Sequence, residues 1–323
     1  MRQLFINPTT QNIRAGWRII IFLALFLLVN ASLMFTARSI LGRLKATGTL
    51  WFLLLAIAAT SAAYITTKYV TKEKFASLGL RGRFALKDIL VGIVLSGAIM
   101  ALMYLILLSF GLIEYQGLSW WNADTHQLGR FTSSSLWVML AVLFQFVVVA
   151  WWEELAFRGI ILQNIAKGLS IKWGVILSTL GFGLIHAGNP NATVLSTVLI
   201  MIITLKLVYA YLKSGQLWLP IGLHLGWNFF QASVFGFASS GHASPSLIAQ
   251  TPVGPDYLSG GAFGAENSIL IVPITLASLL VMHLWIKHSR KLPHLKLQDF
   301  VITDATFRKT VSNQELGIKT DDV

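Results

Sequence analysis

The chain has 323 residues, of which 55% are hydrophobic and only 12% charged, and its mean hydropathy is +0.69. These values exclude an ordinary soluble domain and indicate a polytopic membrane protein. The net charge of +12 suggests a nucleic-acid partner, but the distribution of the charge argues against one. The Lys and Arg residues lie in short segments between apolar runs, where they set topology and meet anionic lipid. The chain contains no cysteine, which excludes disulfides and thiolate chemistry.

Eight apolar segments follow one another and predict an all-α membrane bundle of about eight transmembrane helices. They cover residues 19–37, 50–67, 89–113, 135–167, 173–187, 194–212, 217–238 and 268–286. We divide the chain accordingly into an N-terminal segment (1–18), a membrane-embedded domain (19–286) and a C-terminal tail (287–323).

The distribution of basic residues predicts the orientation. Six Lys and Arg residues lie in the loop 68–88, and three more follow the last helix within 287–291. Because basic loops stay in the cytoplasm, we expect both termini there, in a multi-pass protein of a bacterial cytoplasmic membrane. The basic residues at 38–45 are an exception, since they fall in an outer loop.

Two further expectations concern the second half of the chain. Lys206 lies near the inner end of the sixth helix, so we expect its stem to snorkel towards the interface. The segment 239–267 is rich in Gly, Ser and Pro and is expected to be a flexible external loop.

Polar side chains interrupt three of the helices at comparable depth. Glu153 lies in the stretch WWEELAFR, His186 ends the fifth helix, and His224 and Asn228 lie in the seventh. At a rise of ~1.5 Å per residue, Glu153 and His186 each lie about 21 Å from the inner boundary, and His224 and Asn228 about 13 and 20 Å. Ionisable groups are costly inside a membrane, so this coincidence predicts a functional site.

Helical spacing separates the two adjacent carboxylates. Glu154 and Arg158 are at i and i+4, on one face and in the favourable order for an ion pair, which is more typical of a structural than a catalytic role. Glu153 is rotated by about 100° from Glu154 and remains free for chemistry.

Spacing also places groups around the two histidines. Phe182 precedes His186 by one turn, so its ring can wall and orient the imidazole. His224 and Asn228 project together. Gly222 and Gly226 lie on the opposite side of that helix, where small residues let another helix pack closely. Taken singly, either histidine is equally well explained by a hydrogen bond to a neighbouring helix.

The motifs EELAFR, FGLIH and HLGWN occur in this order within residues 151–230. They resemble EExxxR, FxxxH and HxxxN of the CPBP family, the CAAX protease and bacteriocin-processing proteins also called Abi proteins. The resemblance implies an intramembrane endopeptidase related to the type II CAAX prenyl endopeptidase, with a site reached from the cytoplasm. It also implies roles for four residues: Glu153 as general base, His186 as its partner at the water, and His224 with Asn228 as the groups that stabilise the oxyanion.

The cofactor stays open at this point. Glu153, His186 and His224 form a ligand set that a catalytic divalent metal, zinc first of all, could use. The close spacing of HExxH is absent, however, and a metal-free mechanism with Glu and His fits equally well.

The expected partners are the lipid bilayer and a peptide or protein substrate, with membrane-associated and lipidated substrates included. A membrane transporter or binding scaffold is the alternative, because polar residues that meet at mid-membrane also form substrate and proton sites.

Overall fold

A computed structural model describes residues 2–8, 11–41, 48–82, 84–122, 127–129 and 133–290, so the predicted tail beyond residue 290 lies outside the described residues. The α-helices are α1 (Arg2–Phe5), α2 (Ala15–Leu41), α3 (Gly48–Ile65), α4 (Ala85–Ser109), α5 (Ser133–Glu154), α6 (Gln163–Gly168), α7 (Ile171–His186), α8 (Val194–Ser214), α9 (Trp218–Phe229), α10 (Asp256–Ser259) and α11 (Ile271–Arg290). Three π-helical segments (Thr66–Val70, Leu155–Leu162, Phe230–Val234) and short 3-10 helices extend or join them.

Each of the eight predicted segments contains a helix, and the all-α membrane bundle is confirmed. The predicted number of eight spanning helices is not confirmed. Within the described residues, six helices are long and apolar enough to cross a membrane. The other two, α7 and α9, have only 16 and 12 residues. α7 ends at His186, four residues before Pro190, and α9 changes to π geometry at Phe230. The main hydrophobic core lies around the junction of α5 with its π-helical continuation, against α7, α8 and α9.

The segment 239–267 is not the flexible loop that its composition predicts. Its strand β3 (Ser246–Pro252) pairs antiparallel with β1 (Ile113–Asn122), which also pairs with β2 (Gln127–Gly129). The residues after β3 form short helical turns whose end, 265–267, is buried. Gly264 makes this path possible, because it has φ +105° and a side chain there would overlap the Ala238 carbonyl oxygen.

α9 packs directly against the backbone of α4, as the small residues predict. A Cβ atom added at Gly222 would lie 2.7 Å from Cα of Ile89, and one added at Gly226 would lie 2.7 Å from Cα of Ile93. Glycine therefore brings the two helix backbones into contact. The face of α9 that carries His224 and Asn228 is left to other neighbours.

Candidate active site

One cavity joins the predicted residues. It has a volume of about 460 Å³ and is walled by α3, α5, α7, α8, α9 and the segment 239–266. Glu153, Phe182, His186, His224 and Asn228 all line it. Residues separated by up to 75 positions, on three helices, therefore meet on a single surface, as their common depth predicts.

Glu154 and Arg158 lie behind this wall as a buried ion pair. Nη1 of Arg158 donates to Oε1 of Glu154 at 2.8 Å, and both side chains are almost fully buried. The predicted i, i+4 pair is therefore present. Hydrogen bonds between charged partners are shorter and stronger than neutral ones, so this contact holds Glu154 in one position.

Glu154 has a second partner that the sequence does not reveal. Its Oε1 lies 2.9 Å from Nδ1 of His224 on α9. Directly after Glu154 the helix takes π geometry over Leu155–Leu162, and seven of these eight residues are buried. Single π-helical turns are frequent at functional sites. Glu154 thus links the π-helical junction of α5 to the imidazole of α9.

His224 is oriented towards Glu153. Because Nδ1–H donates to Glu154, the other ring nitrogen, Nε2, is left to face the cavity. Nε2 lies 3.7 Å from Oε2 of Glu153, which is longer than a direct hydrogen bond. That oxygen is buried and has no hydrogen-bond partner within the described part of the chain. A third atom could lie about 2.8 Å from both groups.

His186 is held by its own helix. Its Nδ1 lies 2.8 Å from the backbone oxygen of Phe182, so Nδ1–H donates there and Nε2 stays available. The Phe182 ring, with its centroid 4.7 Å from that of His186, makes the predicted contact. The same ring lies 4.5 Å from Cζ of Arg158 and 6.1 Å from the His224 ring. Phe182 therefore contacts the guanidinium and lies beside both imidazoles.

Lys206 does not snorkel, which corrects the expectation from its sequence position. Its side chain is 1% exposed and lines the cavity, with Nζ 3.7 Å from the ring centroid of Trp227. Lys206 lies eight residues before the end of α8, about 12 Å along the helix. This depth is the sequence signal that argues against snorkelling.

Glu266 and His242 also line the cavity and were missed, because both belong to the segment that resembles a loop. Glu266 is 5% exposed and accepts hydrogen bonds from Nε1 of Trp227 and from the backbone N–H and hydroxyl of Ser240. Burial, together with the nearby His186, lowers the pKa of His242. The cavity thus brings together groups from the motifs and groups from the later segment.

The candidate metal ligands do not fit a metal site as they are arranged. Among the residues that the structure describes, no group of three or more His, Cys, Asp or Glu side chains converges closely enough to hold a metal ion. Glu153, His186 and His224 share the cavity without forming such a group. We therefore derive no step through a metal.

A bundle of membrane-length helices that encloses a cavity with both polar and apolar walls defines an integral membrane protein with an internal site. Residues 135–230 match the family described as Rce1-like, type II CAAX prenyl endopeptidase. The chain therefore carries a domain of the CAAX protease family, as its three motifs predict, and this domain runs from α5 to the end of α9. The match supports the assignment of a peptidase of the CAAX protease type, a class that acts on peptide or protein substrates in membranes. No curated protein and no solved structure matches the chain.

Proposed function

We propose that this protein is an intramembrane endopeptidase that hydrolyses peptide bonds with a water activated in the cavity. The observation that carries the proposal is the buried Oε2 of Glu153. It has no hydrogen-bond partner among the described residues and lies beside the free Nε2 of His224, on a cavity that His186 and Asn228 also line. A carboxylate in this state is available to accept a proton.

We assign the role of each residue from the atoms that its other hydrogen bonds leave available. Glu153 takes one proton of the water while Nε2 of His186 accepts a hydrogen bond from the other, and the water oxygen attacks the carbonyl carbon. The amide of Asn228 donates to the oxyanion that forms, and His224 on the same helix helps to stabilise it. Glu153 then gives its proton to the leaving amine as the C–N bond breaks.

Glu154 and Arg158 support this chemistry without touching the reacting atoms. Glu154 fixes the Nδ1 side of His224, and Arg158 compensates the charge of Glu154. In this proposal the ion pair positions an imidazole, and the structural role expected from its spacing becomes a positioning role.

The test is cleavage by the purified protein in detergent, because a transporter or scaffold cleaves nothing. We expect Glu153→Gln to lower turnover of an accepted peptide by roughly 10²- to 10⁴-fold, since it keeps the shape and removes the base. Its Tm should stay close to that of the wild type, because Oε2 makes no hydrogen bond that the change would break. The matched control is Glu114→Gln, which removes an exposed carboxylate from β1.

Two results would contradict the proposal. If wild type and Glu153→Gln cleave at the same rate, Glu153 is not the base. If the wild type cleaves no peptide from a diverse apolar set, the peptidase assignment itself is wrong.

The substrate class that we propose is a membrane-associated peptide or protein, lipidated ones included. The cavity presents apolar side chains of several helices next to the polar groups, among them Phe52, Phe146, Val149 and Ile185. Such a wall accepts apolar residues or a hydrocarbon chain, while the polar groups engage the peptide bond.

We also propose that both termini face the cytoplasm of a bacterial cell and that the segment 239–267 faces outward. This rests on the basic loop 68–88 and the basic residues after α11. Cysteines introduced singly into this cysteine-free chain test it, at Tyr257, which is 52% exposed, and at Ala76, also exposed. An impermeant maleimide on intact cells should label Tyr257→Cys but not Ala76→Cys, and the reverse pattern would overturn the orientation.

A further inference from the structure

The cavity contains a cation that the proposed hydrolysis does not use. Lys206 is almost completely buried, and its Nζ has no hydrogen-bond partner among the described residues. A buried ammonium that lacks acceptors is unfavourable, so such groups are usually paired. The ring of Trp227 covers one side of Nζ at 3.7 Å, and this cation–π contact compensates only part of the lost hydration.

The nearest opposite charge does not complete the site. Glu266 attracts Lys206 electrostatically, but no hydrogen bond joins the two, and both oxygens of Glu266 accept from other donors. Oε1 accepts from Nε1 of Trp227 at 2.9 Å, and Oε2 accepts from the backbone N–H and hydroxyl of Ser240 at 2.7 and 2.8 Å. The N–H groups of Lys206 therefore remain free to meet an anion that enters the cavity.

This cation is close to the groups proposed for catalysis. Trp227 follows His224 by three positions and precedes Asn228 by one, so the three side chains share one face of α9. Since Nζ of Lys206 lies over the Trp227 ring, the ammonium is next to that face, and Lys206 and Asn228 line the same cavity.

We propose that Lys206 forms an anion subsite of this cavity and binds a carboxylate of the peptide substrate. The inference rests on the proposed peptidase function. A carboxylate supplies the acceptors that the ammonium lacks, and it is the anionic group that an unmodified peptide carries. It can come from the C-terminus of the substrate or from an acidic side chain, and the two sources differ in where the peptide is cut.

The experiment uses three peptides of one apolar sequence with the purified wild type in detergent. The first is a free C-terminal acid, the second is the C-terminal amide, and the third is the amide with Glu as its last residue. We expect kcat/KM to favour the peptides with a carboxylate over the plain amide. Preference for the first alone identifies the terminus as the source, preference for the third alone identifies a side chain, and equal preference shows that the subsite accepts either carboxylate.

Lys206→Met tests the residue, because it keeps the length of the side chain and removes the charge. We expect the ratio of kcat/KM between the carboxylate peptide and the amide to fall by about 10- to 100-fold, chiefly through KM. A loss of this size corresponds to one charge-assisted hydrogen bond. The matched control is Lys213→Met, on the same helix but outside the cavity wall, and it should keep the wild-type ratio.

Two results would overturn the subsite: an unchanged ratio in Lys206→Met, including the case in which both peptides lose equally, or a wild type that does not discriminate. Melting curves guard against misfolding, and Lys206→Gln replaces Lys206→Met if that variant does not fold.

A binding measurement separates this inference from the peptidase proposal. If the wild type cleaves nothing, the peptidase proposal is wrong. The subsite is then tested by comparing the Tm shift that trileucine with a free C-terminal acid produces with the shift that trileucine amide produces. A larger shift with the acid that disappears in Lys206→Met supports the subsite. Equal shifts with acid and amide refute it.

Discussion

Two groups of buried charge in this protein are compensated in different ways. In the first, Glu154 is bound by Arg158 at 2.8 Å and by His224 at 2.9 Å. In the second, Lys206 lies over Trp227 and makes no hydrogen bond within the described chain, while nearby Glu266 is occupied by other donors. A buried charge that has partners therefore fixes the geometry of a site. A buried charge that lies on a cavity wall and has no hydrogen-bond partner is instead available to a ligand.

The same contrast separates two neighbouring residues. Glu153 and Glu154 are 7% and 0% exposed and consecutive in sequence. Oε2 has no hydrogen-bond partner among the described residues in either carboxylate, but Oε1 of Glu154 serves two partners, Arg158 and His224. Burial alone would not distinguish them, but their hydrogen bonds do.

The largest effect on stability is expected for Glu154→Gln. The change leaves a buried guanidinium without its counter-charge, and breaking such a pair costs on the order of 3 to 5 kcal/mol in the free energy of unfolding. It also removes the carboxylate that orients His224, so turnover should fall as well. Melting in detergent and a cleavage assay measure the two effects, with Glu153→Gln as the isosteric neighbour for comparison.

One outcome of these assays would reverse the roles assigned to Glu153 and Glu154. If Glu153→Gln unfolds the protein while Glu154→Gln is stable and inactive, the two carboxylates have exchanged roles. If both variants fold and cleave like the parent, neither carboxylate belongs to an active site.

The smallest effect is expected at His242, which lines the cavity but is substantially exposed. Burial, together with the nearby His186, lowers its pKa below the usual value of about 6.5. The unfolded chain therefore binds more protons than the folded one as pH falls below about 6.5, and stability decreases with falling pH. Because solvent screens this site, we expect the Tm loss between pH 7.5 and 5.5 to differ by only ~1 °C between wild type and His242→Gln.

An exposed histidine provides the control for this measurement. His288→Gln, near the end of α11, should keep the wild-type pH dependence. A His242→Gln variant that loses more stability on acidification than the wild type would show that the sign assigned to His242 is wrong.

The parts of the fold that could be predicted are those set by local sequence. Hydropathy located all eight helical segments, and the i, i+4 rule identified the pair of Glu154 with Arg158 and the contact of Phe182 with His186. The common depth of the polar residues predicted that they meet on one cavity. Each of these inferences needs only periodicity, rise per residue or bilayer thickness.

The parts that could not be predicted depend on how elements rotate and pair. Lys206 faces the cavity because of the rotation of α8 among its neighbours, which its own sequence does not encode. β3 pairs with β1, more than 120 positions earlier, so its Gly-rich and Ser-rich surroundings resembled a loop. The hydrogen bond between Glu154 and His224 joins two helices, and spacing within either one cannot show it.

The contact between α4 and α9 bears on how the site meets its substrate. No residue of α4 lines the cavity, so this helix lies behind α9 and supports it from the side away from the cavity. With the backbones touching at Gly222 and Gly226, α9 cannot roll or slide without steric overlap. The side chains on its cavity face are therefore preorganised before any substrate arrives, and little of the binding energy is consumed in ordering them. Movements that admit a substrate must come from the walls that α4 does not brace.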